Sequence, residues 1–290
     1  MPETFTLGGR LVGPGCPVFV TAEIGLNHNG DVNLAVQLID AAVRAGCDAV
    51  KFQKRSPELC VPPEMRDAPR QTPWGTMTYL DYRRRIELGS SDFEVIDRHC
   101  RDRGITWYAA CWDEPSVDFI GRFDPPAYKV ASACLTDHAL LCHVVTSGRP
   151  LLLSTGMSTL EEIDAAVGVV PRSRLLLYHS TSTYPCPPEQ LNLRMVPALV
   201  ARYGCPVGYS GHERDLAPTL AAVALGACMV ERHITLDHTL WGSDHAASLE
   251  PDQFARLVCD IKLVSTALGD GVKAVYPEEL PIRAKLRRVK

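Results

Sequence analysis

Lysines and histidines that directly follow apolar runs are the first feature of this 290-residue sequence with a bearing on chemistry. Lys51 and Gln53 close one run, Lys129 and Ser132 another, and Ser154 with Thr155 a third. His179, Ser180, Ser182 and Tyr184 follow a fourth, Ser210 and His212 a fifth, and Glu231 and His233 a sixth, while Glu23, Asn27 and His28 follow the run nearest the amino terminus. An ammonium group beside an apolar interior is costly unless an anion balances it. Lys51 and Lys129, together with Ser132, Ser154 and Ser210, therefore suggest a pocket for phosphate and carboxylate groups. His212 and His233 could meet across a shared mouth with Glu23 beside them. Two imidazoles and a carboxylate suit a divalent transition metal with open positions, and ordinary polar packing is the other reading of the same residues. A lone Lys or His at such a place is readily explained by solvation; seven runs ending this way speak for one common site.

The runs are VFVTAEIG from Val18, DAVKFQ from Asp48, ITWYAAC from Ile105, AYKVAS from Ala127, LLSTG from Leu152, LLLYHST from Leu175, PVGYSGH from Pro206 and CMVERHIT from Cys228. Each is almost continuously hydrophobic, the pattern of a strand covered on both faces in a parallel sheet. Between them, stretches such as NLAVQLIDAAVRAG, SSDFEVIDRHCRDRG and TLEEIDAAVGVV carry apolar residues at helical spacing, begin after Ser, Thr or Asp and end near Gly. Eight strands alternating with helices predict an α/β fold, a (β/α)8 TIM barrel, in which chemistry sits at the carboxyl ends of the strands. An open doubly wound sheet alternates in the same way, but EIGLNHNG after the first strand is not the GxGxxG turn of that architecture. Residues 1–17, with their Gly-Gly turn, predict a short N-terminal hairpin closing the barrel bottom. The catalytic barrel is expected over 18–270 and a C-terminal tail over 271–290. The Pro- and Arg-rich stretch from Lys54 to about Ser90 follows a strand end and is expected on the active face.

A formal charge of -4, with the 22% of charged residues spread along the chain, leaves no basic face for a nucleic acid. No segment approaches the roughly 18 apolar residues that cross a bilayer, and MPETFTLGGRLVG lacks the basic start and apolar run of a leader. No membrane partner and a cytoplasmic location are expected. Eleven cysteines without a CxxC pair argue against a zinc ribbon or a disulfide framework, and point to reduced thiols packed as small hydrophobes.

Several segments together resemble the N-acetylneuraminate (sialic acid) synthases: AEIGLNHNGD at Ala22 to Asp31, KFQK at Lys51 to Lys54, KVAS at Lys129 to Ser132, LLSTGM at Leu152 to Met157, TSTYPCPPEQLNLR from Thr181 and GACMVERHITLDHTLWGSDHAASLEP from Gly226. WGTMTYLDYRRRIELG from Trp74 and GYSGHE from Gly208 are most similar to the animal-type members, which use the 6-phosphate of N-acetylmannosamine. That favours an anionic aldose, although Arg83, Arg84 and Arg85 also fit a solvated helix face. The resemblance implies condensation of phosphoenolpyruvate with an open-chain aldose and water, giving a nonulosonic (2-keto-3-deoxy) acid and phosphate. It implies that Glu23 is the essential acid-base residue, that His212 and His233 bind a metal, typically Mn2+ with Mg2+ or Co2+ as alternatives, and that Lys51, Lys129, Ser132, Ser154, Ser182 and Ser210 hold phosphoenolpyruvate. Gln53, Tyr184 and Asp244 correspond to sugar-contacting positions, and a homodimer is expected.

There are departures. Ser182 stands where bacterial members commonly have Asn, and Ala110 where some have Thr, so one or two anion contacts are expected to differ. LGDGVKAVYPEELPIRAKLRRVK from Leu268 resembles the linker into an antifreeze-like domain that covers the partner's site and supplies an arginine to the N-acetyl group. Such a domain is expected to be missing, which leaves acyl specificity open. Rival readings are another 2-keto-3-deoxy sugar acid synthase, an aldolase forming an imine at Lys51 or Lys129, and a non-catalytic sugar-binding barrel.

Overall fold

The computed structural model describes residues 4–289. Eight parallel strands close into a barrel: Phe19–Gly25 (β1), Ala49–Lys54 (β2), Thr106–Cys111 (β3), Tyr128–Val130 (β4), Leu151–Ser154 (β5), Leu175–Ser180 (β6), Val207–Gly211 (β7) and Met229–His233 (β8), with β8 paired to β1. Eight helices alternate with them, Val32–Ala45 (α1), Ser90–Arg103 (α2), Glu114–Gly121 (α3), His138–Thr146 (α4), Leu160–Gly168 (α5), Met195–Tyr203 (α6), Ala217–Ala224 (α7) and Pro251–Leu268 (α8). The (β/α)8 expectation therefore holds.

Local sequence explains the boundaries. Asp31 accepts a hydrogen bond from the Asn33 amide ahead of α1, and Gly46 ends that helix at φ 80°. Thr159 and Glu162 form a reciprocal capping box at the start of α5, each such cap contributing about 1 kcal/mol. The fourth strand is shorter than AYKVAS suggests, because Ser132 already begins a tight 3-10 turn, Ser132–Cys134.

Side chains alternate across the barrel wall with the two-residue period of a strand. Val20, Ala22 and Ile24 of β1 join the outer apolar cluster with Ala35, Leu38 and Ile39 of α1. Phe19, Ala49, Tyr108, Leu152, Leu176, Tyr178 and Met229 fill the inside of the barrel together with Phe5, Leu7 and Val12. These last three belong to an antiparallel pair, Phe5–Leu7 with Arg10–Val12, so the hairpin plugs the amino end of the barrel as expected. Burying each such side chain contributes about 2 kcal/mol. The lysines, histidines and carboxylates of the strand ends lie beyond this apolar layer, at the carboxyl end.

The insertion after β2 folds into helix Pro57–Cys60, a ribbon of Pro69–Thr72 with Gly75–Thr78, and helix Tyr79–Ile86. It reaches the loop after β8, where Trp241 meets Trp74 and Tyr82 edge-on at 5.9 and 5.5 Å between ring centroids. It thus lies on the carboxyl face. Arg84 and Arg85 are exposed, as a solvated helix face requires, but Arg83 is buried. After Leu268 the chain is exposed, including helix Glu279–Leu286, which buries no side chain. All eleven cysteines are free thiols, with Cys100, Cys111, Cys134, Cys186, Cys205 and Cys228 buried. No helix among the described residues is long and apolar enough to cross a membrane.

Candidate active site

A cavity of 260 Å³ opens at the carboxyl end of the barrel. Its wall includes Glu23, Lys51, Gln53, Lys129, Ser132, Ser154, Ser182, Tyr184, Ser210, His212 and His233, so most of the residues singled out from the sequence share one space. Alternation explains this: Lys51 and Gln53, or Glu231 and His233, are two apart on one strand and face the same side.

Four of the polar strand-end residues do other work. Asn27 is buried and donates to the Ile234 carbonyl and the Ser248 hydroxyl, both at 2.8 Å, tying the loops after β1 and β8 together. His28 Nδ1 accepts from the Gly30 amide at 3.0 Å, Thr155 donates to the Tyr178 carbonyl at 2.9 Å, and His179 bonds the Leu191 carbonyl at 2.6 Å. His179 is displaced by its register, since Tyr178 and Ser180 take the inward positions of β6. Asp244 is half-buried in the loop after β8 and is not part of the cavity wall.

Glu231 received no role from residue types alone, yet it is the centre of the site. Its carboxylate accepts from Lys51 Nζ at 2.7 Å, from Lys129 Nζ at 3.1 and 3.3 Å, and from the Ser210 hydroxyl at 3.1 Å. The anion that the two lysines require is thus supplied by the protein, and its place two residues before His233 was the available signal. Lys129 Nζ also sits 3.8 Å from the centre of the Tyr178 ring, a favourable contact for a cation. Glu23 accepts from Gln53 Nε2 at 3.1 Å, and Lys51 Nζ lies 3.3 Å from its other oxygen. Gly25, at φ 54°, lets this corner close: a Cβ there would stand 3.0 Å from Glu23 Oε1 and 3.3 Å from His233 Cε1.

Burial divides the charges unevenly. It pushes the Glu23 carboxyl up to about 7, with Lys51 opposing. Burial also acts against the Glu231 anion, but Lys129 and Lys51 outweigh it and hold that carboxyl below the usual range. Lys129 is pushed down to about 7 by burial although Glu231 opposes. Lys51 remains above its ordinary value, because two carboxylates rather than one offset its burial. Glu23 and Lys129 can therefore both change protonation state near neutrality, which is the condition for moving protons there.

A second corner collects hydrogen-bond donors. The Gly156 amide donates to Ser132 Oγ at 3.0 Å. A Cβ on Gly156 would fall 2.5 Å from Ser182 Oγ and 2.8 Å from Ser132 Oγ, so glycine is what allows these hydroxyls to converge. Met157 follows at φ 59°, a left-handed conformation rare for a non-glycine residue, and its exposed side chain forms part of the rim. Neither Gly156 nor Met157 was distinguished by residue type.

His212 and His233 stand with ring centroids 5.6 Å apart, and Tyr184 lies 4.0 and 5.9 Å from them. His212 Nδ1 bonds the Thr181 carbonyl at 2.7 Å, which fixes that nitrogen as the donor and leaves Nε2 as a lone pair facing outward from that bond. His233 Nδ1 is buried without a partner. Burial first, and then the neighbouring imidazole, push His212 down to about 3, and burial lowers His233 as well, so both rings are neutral. Neutral, paired imidazoles with an orphaned nitrogen are a donor set that could hold two positions of a divalent ion. Glu23 Oε1 accepts from Gln53, its Oε2 stands 3.3 Å from Lys51 Nζ and is buried without a hydrogen-bond partner, and no cluster of three His, Cys, Asp or Glu ligands occurs among the described residues, so the three-residue set suggested by the sequence is not assembled.

The NeuB family profile matches residues 38–273. Human N-acetylneuraminate-9-phosphate synthase is 37% identical over 96% of this chain and 79% of its own length. The N,N'-diacetyllegionaminic acid synthase of Legionella pneumophila is 36% identical over 93% of this chain and 78% of its own. Among solved structures, the sialic acid synthetase of Leptospira borgpetersenii superposes with a TM-score of 0.88 at 32% identity, covering 100% of this chain and 99% of that one. With a profile match over most of its length and relatives above 30% identity, the chain belongs to the NeuB family.

Proposed function

We propose that this chain is a sialic acid synthase-like enzyme that joins phosphoenolpyruvate to the open-chain form of N-acetylmannosamine, its 6-phosphate or a related mannose derivative, releasing phosphate and a nonulosonic acid. The observation that carries this reading is the pairing, in one cavity, of a lysine-rich anion corner with a buried carboxyl of perturbed acidity and two neutral imidazoles. Lys51 and Lys129, shared between Glu231 and the substrate, balance the carboxylate and phosphate charges. Ser132, Ser154, Ser182 and the Gly156 corner bind the phosphate oxygens, and Ser210 the carboxylate side. A divalent ion, Mn2+ in the first instance, held by His212 and His233 would supply Lewis acidity to the aldehyde oxygen.

Carbon 3 of phosphoenolpyruvate forms the new bond to the aldehyde carbon. Water adds at carbon 2, and the tetrahedral intermediate expels phosphate by carbon-oxygen cleavage, leaving the keto group. Glu23, poised to titrate near 7, takes the proton from that water or hands one to the sugar oxygen. Gln53 and Tyr184 orient the sugar, and Asp244 acts from just outside the wall, where its charge, after burial, helps push the Tyr184 phenol above its ordinary range. The working form is a homodimer in the cytoplasm, checked by sedimentation and fractionation. Turnover in oxygen-18 water tests the chemistry: unlabelled phosphate and labelled keto acid are expected, and labelled phosphate would mean attack at phosphorus.

A further inference from the structure

Lys129 and Tyr178 are buried side chains, 1% and 0% exposed, on β4 and β6. Lys129 is the less well balanced of the two site lysines. Lys51 Nζ stands 2.7 Å from one carboxylate, Glu231, and 3.3 Å from a second, Glu23, whereas Lys129 Nζ reaches Glu231 alone among the described residues, at 3.1 and 3.3 Å. Its other close neighbour is the face of the Tyr178 ring, whose centre lies 3.8 Å from Nζ. Gly208 makes room for that ring: it pairs with Tyr178 across β6 and β7, and a Cβ on it would fall 2.7 Å from Tyr178 Cε1. On the amino side the ring belongs to the inner apolar cluster that includes Phe5, Leu7 and Val12 of the hairpin. The Tyr178 hydroxyl does not explain its place, being buried without a hydrogen-bond partner although Tyr108, which bonds Thr21 at 3.0 Å, is a neighbour.

An aromatic face attracts a cation most strongly where water is excluded. Two ammonium groups share Glu231, so a charge kept on Lys129 in a dry place needs a further partner. We propose that Tyr178 is a positioning residue for the condensation, its ring face keeping the Lys129 ammonium charged and held toward the anion that phosphoenolpyruvate brings. Glu231 of β8 and Glu23 of β1 favour that charge, Lys51 of β2 opposes it, and the phenols of Tyr108 on β3 and of Tyr178 itself are kept neutral by burial. Burial is the largest influence on Lys129 and brings it down to about 7, so a modest loss of support discharges it at neutral pH. This rests on the phosphoenolpyruvate reading of the cavity, and the two can fail separately.

The titration of Lys129 is followed by carbon-13 NMR of protein labelled at lysine Cε, with the signal assigned through Lys129→Arg, and phosphoenolpyruvate affinity by calorimetry on either side of neutrality. Wild type is compared with Tyr178→Phe, Tyr178→Leu and proteins carrying phenylalanine with successive ring fluorines in place of Tyr178, which keep the shape of the ring and withdraw electron density from its face. In Tyr178→Phe the midpoint should stay within about half a pH unit of wild type, since the face is kept. In Tyr178→Leu and with the most fluorinated ring it should fall by about one unit, and affinity on the alkaline side by roughly tenfold, the scale of a desolvated contact between a cation and a ring face. The fluorinated series reads the same contact should Tyr178→Leu fail to fold. An unchanged midpoint across that series overturns the proposal, as does an equal fall in Tyr178→Phe, which would give the role to the hydroxyl. A midpoint that follows the ring in a protein binding no phosphoenolpyruvate would uphold the hold of Tyr178 on Lys129 and remove the condensation reading.

Discussion

Glu213 and Arg232 form a buried ion pair, Nη1 to Oε1 at 3.0 Å, and each is the immediate chain neighbour of one of the two site histidines. Thr219 bridges them, donating to Glu213 at 2.6 Å and accepting from Arg232 at 2.8 Å, while the Tyr209 hydroxyl donates to the second Glu213 oxygen at 2.8 Å. Gly211 makes room, since a Cβ there would fall 2.5 Å from Glu213 Oε2. The carboxyl ends of β7 and β8 are thereby locked on the outer side of the barrel while His212 and His233 face inward. Removing one partner of a buried pair typically destabilises by about 3–5 kcal/mol, because the other charge is left uncompensated. Arg232→Met is expected to lower unfolding free energy on that scale in denaturant titration; a loss under about 1 kcal/mol would show that the lock is not needed.

Glu23→Gln keeps the shape of the side chain and removes its proton chemistry. Phosphoenolpyruvate affinity should persist while turnover falls at least roughly a hundredfold. Rates equal to wild type would take Glu23 out of the reaction.

The same substitution reports on the acidity of Glu23 through stability. Its folded value, about 7, lies above the ordinary 4.5, so the folded chain binds more protons than the unfolded chain between those limits. Wild-type stability therefore falls as pH rises through that window relative to Glu23→Gln, and the full penalty is present above about 7. A difference of about 3 kcal/mol between pH 4.5 and pH 8 is expected from the size of the shift. Parallel stability curves for the two proteins would mean that Glu23 titrates normally.

Metal dependence separates the two histidines from the rest of the cavity. Stripping with a chelator should abolish phosphate release, and added Mn2+ should restore it in wild type but not in His212→Ala or His233→Ala. Bound manganese after dialysis is the direct measurement; full activity in a metal-free variant contradicts the role given to these rings.

Gly156→Ala places a methyl group against Ser132 and Ser182. The KM for phosphoenolpyruvate should rise about tenfold or more, the scale of one lost hydrogen bond to a charged ligand, with a smaller change in the KM for the sugar. Equal increases for both substrates would count against a phosphate corner here.

Much of this protein is determined by the order of its residues. Eight apolar runs separated by amphipathic helices leave few arrangements other than a closed parallel barrel, because strands hydrophobic on both faces need helices around them. That architecture brings strand ends together, so Lys51, Lys129, Ser210, His212 and His233 could be assigned to one mouth from local pattern alone. Relations across the barrel could not be read that way. The bridge from Glu231 to both lysines joins residues 180 and 102 positions apart, and the contact of Glu23 with Lys51 stands where the register of β1 against β2 shifts between Glu23 and Gly25. Asn27 and His179 share the residue types of site groups yet are spent on loop carbonyls, and Arg83 differs from Arg84 and Arg85 only in the face of its helix. Sequence determines which groups reach the carboxyl end. Tertiary packing decides which of them remain hydrated, which are paired and which are left charged in a dry place, because acidity and ion pairing depend on burial and on neighbours distant in the chain.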